Sequence, residues 1–319
     1  MREVLRTTDM VRLSWIQALL AESRIHSVVL DSHMSVLEGS ANAIPRRLVV
    51  EEGDYNAALR VLDEAGELDG KGSGAATDAL LDGRVTLLQP QDGYRAGIDP
   101  VLLAAAVPET EGRVLDVGCG TGAATLCYAE RVPAAQLVGL EARPEWAHLA
   151  MESARINGFS EQVAVHIGSL LNPPSDFFPG SFDQVMANPP YLPIERADLR
   201  ADPSDADATV EGDAKLADWV DFCVRMAAPT GCVTMIHRAD RLDEILSVLR
   251  GPAGAIVVFP LWPGARQDGA RDAKRVIVQA RIGSKAPMRL APGLTLHGAE
   301  GDFTWAADQV LRHGKALML

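Results

Sequence analysis

Val114-Leu115-Asp116-Val117-Gly118-Cys119-Gly120-Thr121-Gly122-Ala123-Ala124 decides the fold. Four residues rich in branched apolar side chains read as a buried strand. A glycine-rich turn follows, then a helical pattern running to about Arg131. Gly118, Gly120 and Gly122 allow positive φ and let the backbone come close to a ligand. The run from Gly118 to Ala123 fits the pattern G-x-G-x-x-A, which nicotinamide, flavin and S-adenosylmethionine sites share. Asp116 stands two residues before the first glycine, where a carboxylate faces an ammonium or orders water around a cationic ligand. The next strand, Gln136-Leu137-Val138-Gly139-Leu140-Glu141, ends on an acid placed to take both ribose hydroxyls, with Ala142 beside it. A nicotinamide site would also use that acid, but would not usually want the earlier aspartate.

Working outward, strands and helices alternate from Val85 onwards, which predicts a parallel sheet. Strands are expected at 163–167, 182–187, 233–236, 256–259 and 275–280, and helices at 216–227 and 242–249. The strand Phe182-Asp183-Gln184-Val185-Met186-Ala187 delivers Asn188-Pro189-Pro190-Tyr191. A conjugated amine is a poor nucleophile because its lone pair is delocalised. The Asn188 side-chain oxygen and the Pro189 carbonyl can hold such an NH2 group and draw its nitrogen towards a tetrahedral shape. Both proline rings fix φ, and Pro190 keeps Pro189 extended, so the carbonyl is aimed in advance. Tyr191 can lie flat against a planar group.

Together the glycine turn and Asn-Pro-Pro-Tyr resemble the class I S-adenosylmethionine-dependent amino-methyltransferases. Gln89-Pro90-Gln91-Asp92-Gly93-Tyr94-Arg95-Ala96-Gly97-Ile98-Asp99-Pro100 looks like the segment before the first core strand in bacterial tRNA-valine (adenine-N6) methyltransferases. So do Ala273-Lys274-Arg275-Val276-Ile277-Val278, Leu294-Thr295-Leu296-His297, and Phe303-Thr304-Trp305 before a last helix. The resemblance covers about residue 83 to the end. It implies a Rossmann-like α/β domain with a seven-stranded sheet whose last strand is antiparallel. It implies S-adenosylmethionine as cofactor, RNA with tRNA foremost as partner, and N6 of adenine as methyl acceptor. Asn188, Pro189, Pro190 and Tyr191 would address the target. Tyr94, Arg95, Asp99, Asp116, Gly118, Cys119, Gly120, Thr121, Gly122, Glu141, Ala142, Ser169 and Asn188 would line the cofactor site. Many relatives carry an acid where Ser169 stands; the serine could accept the same bond from the adenine amine. Release-factor glutamine methyltransferases share Asn-Pro-Pro-Tyr, but usually carry a Glu-Pro dipeptide and a helical N-terminal domain, neither of which is evident here. A noncatalytic S-adenosylmethionine sensor is a third reading, against which the intact tetrapeptide argues.

Residues 1–66 read as a separate domain in the order β-α-β-β-α, with strands at 3–6, 27–30 and 47–50. Thr8 or Asp9 would cap its first helix, which runs through Trp15, Leu19 and Leu20, and Asp54 would open the second. The order and the Leu-Val-Val-Glu-Glu strand resemble a small bacterial domain known as a prokaryotic signal transducer, which implies a ferredoxin-like α+β sandwich. Residues 67–82 read as a flexible linker, on the glycine-rich run 66–76. Residues 83–319 would be the methyltransferase domain.

A chain of 319 residues has core material enough for two domains. The four cysteines lack metal-ligand spacing and read as reduced thiols, and no metal site is expected. With no spanning run and no leader pattern, a cytoplasmic protein is expected. The net charge of −13 opposes phosphate binding in bulk. Local basic residues can override it: Arg266, Arg271, Lys274, Arg275, Arg281, Lys285 and Arg289 form either a basic face beside the site or a set of solvated loop charges. Arg271, Lys274 and Arg275 are expected on the sheet's far side from the glycine turn. Glu195–Asp213, with seven acidic and two basic residues, reads as either a lid or a solvated insertion.

Overall fold

The computed structural model describes residues 2–7, 10–30, 46–65, 75–90, 95–191, 212–264 and 271–319. Tyr94, Arg266, the Thr8/Asp9 cap, residues 67–74 of the expected linker and residues 195–211 of the acidic segment lie outside them. The chain divides into two compact units, Met1–Ala75 and Ala76–Leu319.

In the first unit, β1 (Arg2–Thr7), α1 (Met10–Glu22), β2 (Ser27–Leu30), β3 (Arg46–Val50) and α2 (Tyr55–Glu64) follow the expected order. The sheet order is β1-β3-β2, with β3 antiparallel to both neighbours. Leu13, Ile16 and Leu20 recur at helical spacing on α1 and are buried with Leu48, Val50, Ala58 and Leu62. Trp15 lies off that stripe and is exposed. Among the described residues the unit has three strands, one fewer than a complete ferredoxin-like sandwich.

The second unit opens with β4 (Ala75–Leu80) and β5 (Val85–Pro90), a two-stranded ribbon. The linker reading of 75–82 is therefore corrected. The glycine run stops at Gly74, and Ala75-Ala76-Thr77-Asp78-Ala79-Leu80 contains no breaker. Leu81, Asp82 and Gly83 turn the chain with positive φ. Next come α3 (Asp99–Ala106), β6 (Arg113–Val117), α4 (Ala123–Arg131), β7 (Gln136–Glu141), α5 (Pro144–Ile156), β8 (Val163–Ile167) and β9 (Phe182–Ala187). The chain continues through α6 (Leu216–Met226), β10 (Ala227–Arg238), α7 (Leu242–Leu249), β11 (Ala253–Trp262) and β12 (Arg275–Ile282). Two-residue strands β13 (Arg289–Leu290) and β14 (Leu294–Thr295) and a final helix α8 (Trp305–Leu311) complete it.

The main sheet runs β13-β11-β12-β10-β9-β6-β7-β8, with β14 also on β11. Seven strands are long, β6 to β12; β13 and β14 add two residues each at the edge, where seven strands in all were expected. β12 runs antiparallel to both neighbours, as expected of the last long strand. Alternate strand residues enter two cores. Val114, Leu137, Met186 and Ile277 pack with α3, α4 and α8; Leu115, Val138, Val185 and Val278 pack with α6 and α7. β10 starts six residues before the expected 233 because a register shift between Ala227 and Cys232 absorbs Pro229-Thr230-Gly231. The strand order reverses at β6, which pairs with β7 on one side and β9 on the other. A crevice at the carboxyl ends of strands belongs at such a switch point.

Candidate active site

The glycine turn is stitched to the end of β7. Gly118 and Cys119 both donate to the Leu140 carbonyl, at 2.7 and 3.1 Å. Gly118, Gly120 and Gly122 have φ of 68°, 58° and 92°. A methyl group on Gly118 would stand 2.3 Å from the Trp219 ring of α6. Gly122 closes the turn against Ala150 of α5 and does not line the crevice. Cys119 contributes backbone; its buried thiol packs on Gly139, and burial pushes its pKa well above the ordinary value.

The crevice measures about 360 Å³ and is lined by Gly118, Gly120, Glu141, Ala142, Ser169 and Asn188, among others. Its size is in the range of small-molecule sites. Cys119, Thr121 and Asp116 also line it. Glu141 accepts from the Gly120 N–H at 2.8 Å and from the Arg143 N–H at 2.9 Å, so both carboxylate oxygens are oriented in advance. Burial raises its pKa, and those backbone donors oppose the rise. Asp116 accepts from the Thr125 hydroxyl at 2.6 Å. Burial pushes Asp116 up to about 7; the Thr125 bond pulls it down and the neighbouring Glu141 charge pushes it up.

Not every expected site residue reaches the crevice. Arg95 pairs with Asp78 of β4, whose carboxyl it holds below the usual range. Gln89 also contacts Asp78 and accepts from the Ala96 N–H at 2.6 Å, so the segment before α3 is anchored through Gln89, which does line the crevice. Asp99 faces Tyr191 instead. Asn188 and Pro190 are in the crevice wall; Pro189 is buried and is not. Trp146 and Trp219 line the crevice without having been expected there, since neither belongs to a motif. A cationic nucleoside fits this donor set: two buried carboxylates, a glycine cradle that a side chain would fill, and aromatic walls.

Residues 1–66 match a family described as "Putative prokaryotic signal transducing protein", and residues 114–201 match one described as "Methyltransferase domain". A tRNA1(Val) (adenine(37)-N6)-methyltransferase of Aeromonas hydrophila is 31% identical over 212 residues, covering 66% of this chain and 85% of the relative. The chain belongs to the tRNA1(Val) (adenine(37)-N6)-methyltransferase family. A Porphyromonas gingivalis relative of the same name is 29% identical, over 53% of this chain and 68% of its own length. The fold also matches a solved structure of a predicted O-methyltransferase from Agrobacterium tumefaciens. Its TM-score is 0.57 at 23% identity, covering 69% of this chain and 98% of that one. The protein is a methyltransferase, and S-adenosylmethionine is its cofactor.

Two further residues stand beside Asn-Pro-Pro-Tyr: His237, which carried no sequence signal as a site group, and Arg275, read only as one member of a basic series. His237, buried at the end of β10, places Nε2 3.1 Å from the Pro190 carbonyl and meets the Tyr191 ring edge-on at 5.5 Å. Arg275 lies over the Tyr191 ring at 4.1 Å and donates from Nε to Asp99 at 3.0 Å. That overturns the expectation of a far-side position. β12 is antiparallel, so its first residue pairs with Arg238, at the carboxyl end of β10. The same topology splits the basic series: Arg281 pairs with Cys232 and Gly254 at the opposite edge.

Two results are expected of the cofactor site. Glu141→Ala should weaken S-adenosylmethionine binding by roughly 1–3 kcal/mol, because two hydroxyl acceptors are lost and two backbone donors are left without their carboxylate. Calorimetry showing unchanged affinity would place the ribose elsewhere. For Asp116, the raised pKa means that the fold favours the neutral acid. Its contribution is full below the ordinary carboxylate range near pH 4 and is lost as pH rises through about 7. The ligand-free protein should therefore lose thermal stability across that window, and Asp116→Asn should flatten the loss. Parallel melting-temperature profiles for the two proteins would refute the assignment.

Proposed function

We propose that this protein transfers a methyl group to the exocyclic N6 amine of an adenine in tRNA, working in the cytoplasm. One observation carries the reading. Asn188 stands at the end of β9 in the wall of the same crevice that holds Glu141 and the glycine turn. A target amine held there meets the cofactor. The relatives' names point to the same acceptor.

S-adenosylmethionine, when bound, supplies an electrophilic methyl group on sulfur; the carbon–sulfur bond breaks as the carbon–nitrogen bond forms. Glu141 would hold the ribose and Asp116 would face the positive end. Asn188 and the Pro189 carbonyl take the two N–H bonds of the amine and turn its lone pair towards the methyl carbon. Ser169 lines the same wall, which supports the reading that it accepts from a nucleobase amine. Catalysis is mostly alignment. The leaving proton becomes acidic only after the bond has formed, so no strong base is needed. The adenine must be unstacked to enter, as enzymes acting on bases require.

The test is mass spectrometry of nucleosides from total tRNA incubated with the protein and labelled cofactor. Labelled N6-methyladenosine is the expected product. Label in a glutamine-containing protein and none in tRNA would overturn the reading.

A further inference from the structure

We propose that Arg275, Asp99 and the Tyr191 hydroxyl act as a positioning relay that decides which end of the Asn188 carboxamide faces the target amine. The inference rests on the reading above for the identity of that amine. Its geometry stands without it.

The Tyr191 hydroxyl oxygen lies 2.6 Å from Asp99 Oδ2 and 2.7 Å from the Asn188 side-chain atom placed as Oδ1. Arg275 Nε lies 3.0 Å from the same Asp99 oxygen. A phenol has one proton. A carboxylate and a carboxamide oxygen are both acceptors. One proton cannot serve two acceptors at these distances, and the bond to the carboxylate is the stronger because it is charge-assisted. The phenol therefore donates to Asp99. Its second short contact is satisfied when Asn188 presents its NH2 end, so that Nδ2–H donates to the phenol oxygen. The two ends of a carboxamide have the same shape and are told apart by their partners.

The polarity at the site follows. With Nδ2 bonded to Tyr191, the Asn188 oxygen is the end left for the crevice, whose wall Asn188 forms. An oxygen there accepts from a target N–H; an NH2 group there would oppose one. Arg275 supports the chain twice. It donates to Asp99, and it covers one face of the Tyr191 ring at 4.1 Å. These groups come from the start of α3, the end of β9 and the start of β12, and Asp99 and Arg275 are 176 positions apart.

The deciding variant is Tyr191→Phe, which keeps the ring and removes the hydroxyl. Single-turnover transfer to tRNA should fall at least tenfold, with the tRNA KM within threefold and cofactor affinity within twofold of wild type. Arg275→Ala should act in the same direction, Arg275→Lys should recover part of the loss, and the Tyr191→Phe/Arg275→Ala double variant should be no worse than the poorer single. A stacking role alone leaves Tyr191→Phe at wild-type rate, and that result, or additive losses in the double variant, would overturn the relay. If wild type labels a glutamine substrate and not tRNA, the adenine reading fails while the relay is judged by the same variants on that acceptor. Independently of any acceptor, the Asn188 side-chain NH2 resonances, assigned by their loss in Asn188→Ala, should shift in Tyr191→Phe. Unmoved resonances would also overturn it.

Discussion

Asn188→Ala is expected to lower methyl transfer by about 10²–10³-fold, roughly 3–4 kcal/mol, on the scale of removing one preorganised polar group from a reacting centre. Cofactor affinity should change by less than about tenfold, or about 1.4 kcal/mol. The asymmetry follows from the geometry. The turn, Glu141 and Asp116 hold one another without Asn188: Glu141 is tied to Gly120 and Arg143, and Asp116 to Thr125. Asn188 is tied instead to Tyr191. On the proposed reading, removing its carboxamide leaves the cofactor site standing and takes away the acceptor for the amine. Single-turnover transfer and calorimetry on the same preparation measure both arms. A cofactor dissociation constant weakened more than about tenfold would move Asn188 into the cofactor site.

Gly118→Ala should destabilise the fold by about 2–6 kcal/mol. A side chain held at φ 68° contributes roughly 1–3 kcal/mol of strain. A methyl carbon 2.3 Å from the Trp219 ring adds overpacking of about 1–3 kcal/mol. The two parts can be separated. Trp219→Ala in the Gly118→Ala background removes the collision and leaves the backbone strain, so the double variant should recover part of the loss. Denaturant melts of all four proteins give the coupling energy, expected at about 1–3 kcal/mol. Additive losses would mean that the ring moves aside freely and that α6 does not press on the turn.

The parallel half of the sheet was legible because β6, β7 and β9 are buried along most of their length and β8, at the edge, still reads as a short apolar run. Val114–Val117, Gln136–Glu141, Val163–Ile167 and Phe182–Ala187 are apolar runs closed by turns, and each was placed within a residue. The local motifs were legible for the same reason: the glycine turn and the tetrapeptide are contiguous. What failed was what distance in sequence hides. Arg275 reads as one cation among seven, and only the direction of β12 brings it to Tyr191. Trp219 carries no motif, and its place over Gly118 depends on how α6 packs. Asp99 and Arg95 were read through resemblance as cofactor groups. Their partners turned out to be Tyr191 with Arg275, and Asp78, which periodicity does not reveal. The strand expected at 233–236 begins earlier, because Pro229 and Gly231 sit in an irregular stretch that the long strand β10 tolerates.

The place of β12 between β10 and β11 has a consequence for synthesis. β11 leaves the ribosome before β12, but among the described residues its one long neighbour in the sheet is β12, so that pairing waits until the chain has doubled back. The glycine turn, Glu141 and Asn188 have all emerged by then. A nascent chain halted near residue 262 thus carries the motifs of a methyltransferase without Arg275 against Tyr191. The contact between Arg275 and Tyr191 is therefore a late event of translation, made when the returning strand closes the gap.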